Sequence, residues 1–163
     1  MTSAAVGSLN QPSLRELIRP AGCQSVKARR LKALAGWIND SGGIRRLTRK
    51  SSSRLREDLL KVHGIGSETA DAILCFGFDR PTFIADRYAR SWLVRMGVSN
   101  AGASLDYERC RQIMGRYLEG LEIDLSDLHA AIVMHGQSVC GRVPECTACP
   151  IRRQCLYRGP RSD

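Results

Sequence analysis

The feature that most constrains this chain is a break in helical periodicity at residues 63–66. Leu55, Leu59 and Val62 recur at helical spacing, the pattern stops at His63-Gly64-Ile65-Gly66, and it resumes with Ala70, Ile73, Leu74 and Gly77. Two amphipathic helices must therefore meet across a very short turn. Its two glycines supply backbone conformations that a Cβ would oppose.

Such a turn leaves the N–H groups of Gly64, Ile65, Gly66 and Ser67 at the open start of the second helix. Unpaired donors and the helix dipole together favour an anion there. Ile65 is expected to point inward and pin the two helices, with no side chain at the tip to obstruct a phosphate. The pattern predicts a helix–hairpin–helix over about residues 55–78, a module that grips a sugar-phosphate backbone without reading base sequence. A plain corner between two helices, closed by a glycine C-cap, satisfies the same residues.

The hairpin is followed by Pro81-Thr82-Phe83-Ile84-Ala85-Asp86. Pro81 cannot continue a helix, and the run after it reads as extended and buried. Tyr88, Trp92, Leu93 and Met96 then return to helical spacing, which puts Asp86 at or near an N-cap. Capping alone accounts for an Asp at such a place. A carboxylate fixed at a helix start is also favoured in its charged form. It can orient a water and stabilise positive charge on a deoxyribose ring during N-glycosidic cleavage.

At the other end, Cys140, Cys146, Cys149 and Cys155 form a C-x5-C-x2-C-x5-C run in a loop with two prolines. The start of the chain, MTSAAVGSLNQP, lacks the basic and apolar regions of a signal peptide, and no apolar run approaches a membrane span. We therefore expect a cytoplasmic protein, nucleoid-associated if bacterial, in which disulfides are disfavoured. Four thiolates in one loop then point to a metal. One close pair with long arms on both sides leans toward an iron–sulfur cluster, with zinc as the alternative. Cys23, Cys75 and Cys110 are expected to be buried apolar residues.

Twenty-five Lys and Arg against sixteen Asp and Glu give a net charge of +9, which suits a polyanionic partner. Arg45, Arg46, Arg49 and Lys50 precede the hairpin and are placed to follow the same DNA strand, or else form a solvated face. Arg142, Arg152, Arg153 and Arg158 surround the cysteines.

In chain order, residues 1–12 read as an unattached tail. Ser13 and Glu16 signal a capped short helix that closes at Pro20. A longer helix over about 25–40 should turn Val26, Leu31, Leu34, Trp37 and Ile38 inward and Lys27, Arg29, Arg30 and Lys32 outward. After a loop over 97–102, two further helices are expected at about 105–118 and 125–139. No strand pattern is found, so the fold class is all-α. The division expected is a tail (1–12), a partial helical barrel carrying the hairpin (13–80), and a helical domain with the cysteine loop (81–163).

Hairpin, Asp86 and cysteine tail, in that order, resemble the endonuclease III branch of the helix–hairpin–helix DNA glycosylases over most of the chain. HGIGSETADAIL is similar to the family's L-P-G-V-G-x-K-T-A hairpin, FIADRYARSWLVRMG to its V-D-T-H-x-x-R-x-x-x-R-x-G segment, and HGQSVC to its entry into a [4Fe–4S] loop. The resemblance implies a base-excision repair glycosylase fold with Asp86 as the catalytic carboxylate. Cys140, Cys146, Cys149 and Cys155 become the ligands of a [4Fe–4S] cluster that serves structure and DNA contact. It implies a monomer bound to double-stranded DNA containing damaged bases. The DNA contacts would come from His63, Gly64, Ile65, Gly66, Ser67, Thr69 and Arg87.

Three departures refine that expectation. Bifunctional members carry a lysine where this chain has Glu68; without that amine no Schiff base forms, so strand cleavage should be absent. The wording GIGSETADAIL is closest to monofunctional members, some of which excise alkylated purines. The first cysteine spacing is one residue shorter than the family's x6. Finally, the family has helices upstream of the point matching residue 1, including the wedge and part of the base pocket. The expectation is an N-terminally truncated version of the fold. It is either a hydrolase with little turnover on its own or a catalytically inert DNA-binding protein.

Overall fold

Every regular element is helical among residues 2–98 and 105–157, the part of the chain that this computed structural model describes. The all-α expectation therefore holds for the described residues. None of their helices is long and apolar enough to cross a membrane. The chain divides into two compact units, residues 1–70 and 71–163, so the boundary falls inside the second hairpin helix rather than at 80/81.

In the first unit, the expected unattached tail is instead structured. Helix α1 spans Ser3–Ser8 and α2 spans Gln11–Leu17. Thr2 caps α1 by accepting the Ala5 N–H, and Asn10 rather than Ser13 caps α2, accepting the Ser13 N–H at 2.8 Å. Both helices pack on α3, Gln24–Asp40, and the Ser3 hydroxyl donates to Asn39. Periodicity could not reveal α1, because Ala4, Ala5 and Gly7 carry no apolar stripe. The buried seam of α3 is Ala28 and Ala35, whereas Val26 and Leu31 are exposed. Small side chains at a contact let helices approach closely, so the seam is made by the residues with least hydrophobic weight. The short helix α4, Ile44–Leu47, and the first hairpin helix α5, Ser52–Leu60, follow. Leu14, Leu47, Leu55 and Leu59 are fully buried.

The second unit opens with the end of α6, Ser67–Ala72, which continues as one π-helical stretch, Ile73–Gly77. Residues 82–85 are extended and buried, as expected. Helix α7, Arg87–Met96, begins at Asp86; α8, Tyr107–Leu118, is capped by Asp106, and α9, Leu125–Ser138, by Asp124. The core gathers Phe83 and Ala85 from the extended run, Ala89 and Leu93 from α7, Met114 from α8 and Ile132 from α9. Helices α7 and α9 pack closely because Gly136 has no side chain: a Cβ there would lie 2.4 Å from the Tyr88 ring. Cys75 and Cys110 are buried as expected, and burial pushes the Cys110 thiol up to about 11. Cys23 is exposed instead, at the left-handed residue that precedes α3. The expected loop over 97–102 has residues 99–102 outside the described residues.

One charged cluster braces the start of the hairpin. Asp58 on α5 is buried and accepts a 2.7 Å hydrogen bond from Lys50, with Arg54 and Lys61 at 3.5 and 3.4 Å. Lys50 is thus tied into the fold, which removes it from the basic face proposed for the preceding block. The Lys50 hydrogen bond, helped by the charge of Arg54 and opposed by burial, holds the Asp58 carboxyl below the usual carboxylate range. A depressed folded-state value means that the contribution is complete above the unfolded value of about 3.9 and disappears as pH falls through the folded one. Asp58→Asn should therefore lose about 2 kcal/mol at neutral pH, typical of a hydrogen bond to a charged group. The gap between variant and wild type should begin to narrow below about pH 4 and be smaller at pH 3 than at pH 7. Urea unfolding at pH 7 and pH 3 checks both.

Candidate functional site

The hairpin turn is built on one bond. The Ile65 N–H donates to the Val62 carbonyl at 3.0 Å, and Gly64 sits at the third position of that turn with φ +81°. Positive φ at this position is what glycine provides. Ile65 is buried, as expected, and pins the turn. Its amide is consumed by the turn, however, so it is not among the donors available to an anion. Among the described residues the Gly64 and Gly66 amides donate to no protein acceptor. The Gly66 carbonyl accepts the Ala70 N–H at 2.8 Å, which starts the helical bonding of α6. A Cβ on Gly66 would meet nothing within 4 Å. The second glycine is therefore not needed by the fold around it, and its bare face is open.

Around this turn His63 and Thr69 are exposed, Ser67 is half-buried and Glu68 is exposed in the first turn of α6. His63, Gly64, Gly66, Ser67 and Thr69 thus share one surface segment of the first unit. One expectation fails: the tip is not bare of side chains, because Arg30 from α3 lies over Gly64.

Asp86 belongs to the second unit and is the N-cap of α7. Its Oδ1 accepts the Ala89 N–H at 2.8 Å. Among the described residues no protein donor is bonded to its second carboxylate oxygen. Capping and chemistry are therefore compatible: one oxygen orients the group and the other stays available. Arg87 follows it, exposed, with its guanidinium donating to the Tyr88 hydroxyl at 2.6 Å and lying 4.5 Å from that ring centroid. Held in this way, Arg87 keeps its charge at the surface beside Asp86.

At its far end α7 meets the cysteine loop. Arg95 donates to the Cys140 carbonyl at 2.7 Å and to its sulfur at 2.9 Å. The Arg95 carbonyl accepts the Tyr157 N–H at 3.0 Å, with the Cys155 sulfur 3.4 Å away, and its guanidinium faces the Tyr157 ring at 5.4 Å. One residue thus holds both ends of the loop. Gly97, at φ +76°, lets Leu156 close over the end of α7; a Cβ there would sit 2.3 Å from Leu156 Cδ1. His135 Nε2 lies 3.3 Å from the Cys149 sulfur.

Cys140, Cys146, Cys149 and Cys155 are free thiols, all half-buried, and they line one cavity together with Trp92, Met96 and Tyr157. Among the described residues no three His, Cys, Asp or Glu side chains are placed to hold a single metal ion. Four cysteine sulfurs lining one cavity are a donor set that suits a thiolate-ligated metal centre, an iron–sulfur cluster among them. Arg142, Arg152 and Arg153 are exposed near this loop, and Arg158 lies outside the described residues.

Two site residues escaped the reading of the sequence. Arg95 falls within the segment FIADRYARSWLVRMG but carries no signature apart from its place near the end of an amphipathic helix. Arg30 is one basic residue among several on α3, and only the fold places it at the hairpin.

Comparison with known proteins agrees with this geometry. The helix-hairpin-helix motif matches residues 54–76. A protein of Methanocaldococcus jannaschii, provisionally named a DNA repair glycosylase, is 37% identical over 93% of this chain and 69% of its own length. Endonuclease III of Sulfolobus acidocaldarius is 32% identical over 87% of this chain, which spans 61% of that relative's length. Among solved structures, a 3-methyladenine DNA glycosylase of H. pylori bound to 1,N6-ethenoadenine superposes with a TM-score of 0.66 at 26% identity. That match covers 83% of this chain and 66% of the other. The motif, the relatives and the helical fold agree, and the chain belongs to the endonuclease III-like branch of the helix–hairpin–helix DNA glycosylase superfamily.

Proposed function

We propose that this protein is a monofunctional DNA N-glycosylase of base-excision repair, acting on damaged bases in duplex DNA, with alkylated purines the class to test first. The observation that carries the reading is Asp86, whose one oxygen is fixed by the Ala89 amide while the other takes no protein hydrogen bond. The likeness to a 3-methyladenine glycosylase and the exposed carboxylate of Glu68 support the monofunctional, alkylated-base form.

The chemistry asked of these residues is limited. The hairpin holds the phosphate backbone while the damaged nucleotide is turned out of the stack. As the bond from C1′ to the base nitrogen lengthens, positive charge grows on the sugar ring, and the free oxygen of Asp86 stabilises it through space. Water then adds to C1′; its departing proton is taken up by solvent, and the base leaves with the electron pair of the broken bond. No amine is supplied at position 68, so nothing converts the abasic sugar to an imine and the strand remains whole.

Cys140, Cys146, Cys149 and Cys155 are proposed to hold a [4Fe–4S] cluster. When bound, it supplies a rigid, thiolate-anchored centre to the loop and takes no part in the reaction at the sugar. Arg95 fixes the loop's two ends against α7, and Arg142, Arg152 and Arg153 present its charge to DNA.

Two experiments test this assignment. Asp86→Asn should lower base release from alkylated duplex DNA at least about a hundredfold, the scale of a lost transition-state charge contact. Its DNA affinity should stay within about twofold, since volume and surface change little. A variant that still excises at the wild-type rate removes Asp86 from the chemistry. Wild type that binds duplex DNA without releasing any base makes the protein a binding module. Separately, anaerobically purified protein should be brown and contain iron and inorganic sulfide in equal amounts. Cys146→Ser should lose the colour while Cys110→Ser keeps it. Colourless protein with one zinc per chain contradicts the cluster.

A further inference from the structure

The first unit places a cation over the hairpin turn. Arg30, in the middle of α3, runs its side chain across the hairpin tip. The Cβ that Gly64 lacks would fall 2.4 Å from Arg30 Cγ and 2.9 Å from both Cδ and Nε. Gly64 is therefore required twice, once for its positive φ and once to let the arginine stem cross the turn.

Several other basic side chains of this unit, though not the exposed Arg29 beside it, have partners within the protein. Lys27 donates to the Ala21 carbonyl and Lys32 to the Leu9 carbonyl. Lys50 is bonded to Asp58, and Arg54 reaches Glu57 and Asp58. Among the described residues the Arg30 guanidinium is bonded to no carboxylate and no carbonyl. It is exposed, its stem is packed on Gly64, and the turn beneath it carries the two undonated amides of Gly64 and Gly66.

We infer that Arg30 is a DNA-contact residue, which meets the same backbone phosphate as the hairpin amides. A guanidinium offers several donors in a fixed plane, and packing of its stem reduces the freedom lost when it binds. Arg30 would then supply the full charge that the neutral amides lack. The amides would supply direction, since they are fixed by the turn. This inference rests on the reading of the hairpin as the DNA grip, and the experiment separates the two.

Fluorescence anisotropy with duplex DNA over a range of salt concentrations compares wild type with Arg30→Gln, Arg30→Lys, Gly66→Ala and the double variant Arg30→Gln/Gly66→Ala. Circular dichroism melts confirm folding; Arg30→Gln is expected to melt with wild type, and Arg30→Lys keeps most of the stem if it does not. Arg30→Gln should weaken binding several-fold irrespective of sequence and lower the slope of log affinity against log salt by about one. Arg30→Lys should restore the slope. The double variant should lose less than the product of the single losses, because one phosphate is shared. Wild-type slope in Arg30→Gln, or weaker binding with an unchanged slope, overturns the inference while leaving the hairpin reading in place. Multiplicative losses place Arg30 on a different phosphate and overturn the shared contact. Wild type that binds no duplex DNA overturns the hairpin reading, and this inference with it.

Discussion

A single hydrogen bond, from the Ala89 amide to a carboxylate oxygen of Asp86, sets the start of α7, and much of the second unit depends on where α7 starts. Ala89 and Leu93 from its inner face enter the core with Phe83, Cys110 and Ile132. Arg95, near its end, then takes hold of Cys140 at one end of the cysteine loop and of Tyr157 at the other. Ten residues of helix, about 15 Å, thus act as a fixed spacer between a carboxylate and the four-cysteine loop. If the cap were lost, the first turn would fray, and the direction of the free Asp86 oxygen would go with it. Structure and chemistry make no conflicting demand here, since each uses a different oxygen of one side chain.

The first unit solves a different problem with similar economy of means. The grip on DNA backbone proposed for the hairpin needs amides that are fixed, exposed and unobstructed. The turn bond from Ile65 to Val62 fixes them, burial of Ile65 anchors the turn, and the bare face of Gly66 keeps the approach open. The buried Asp58 cluster stiffens α5 just before the turn by joining Lys50, Arg54 and Lys61 to one carboxylate. Those cations are therefore spent on the fold. Pairing fixes where these cations sit but does not cancel the net charge of +9, which already subtracts the carboxylates.

Much of this was legible in the sequence because it rests on local rules. Asp86 announced itself as a cap, residues 82–85 as an extended buried run, and the hairpin by its interrupted periodicity. What was missed depended on contacts distant in sequence or on residues without hydrophobic weight. Helix α1 is made of small residues and gains its place from α3; Ala28 and Ala35, rather than Val26 and Leu31, form the α3 seam because closeness outweighs size. Cys23 was expected inside and lies outside, since its role is set by an unusual backbone angle at the start of α3. Arg95 and Arg30 could not be separated from other arginines until the fold gave each a neighbour. Ile65 was placed correctly, but its amide was assigned to a ligand when the turn itself consumes it.

The central claim is that Asp86 breaks the bond to the base and that no amine, with Glu68 in its place, goes on to break the strand. The most direct test follows one labelled strand of alkylated duplex DNA incubated with the protein, read for free base, for strand length and for covalent adducts under borohydride. The account predicts released base, a strand that stays full-length until the abasic site is cleaved by alkali, and no trapped protein. A shortened strand accompanied by a borohydride-trapped adduct would contradict it.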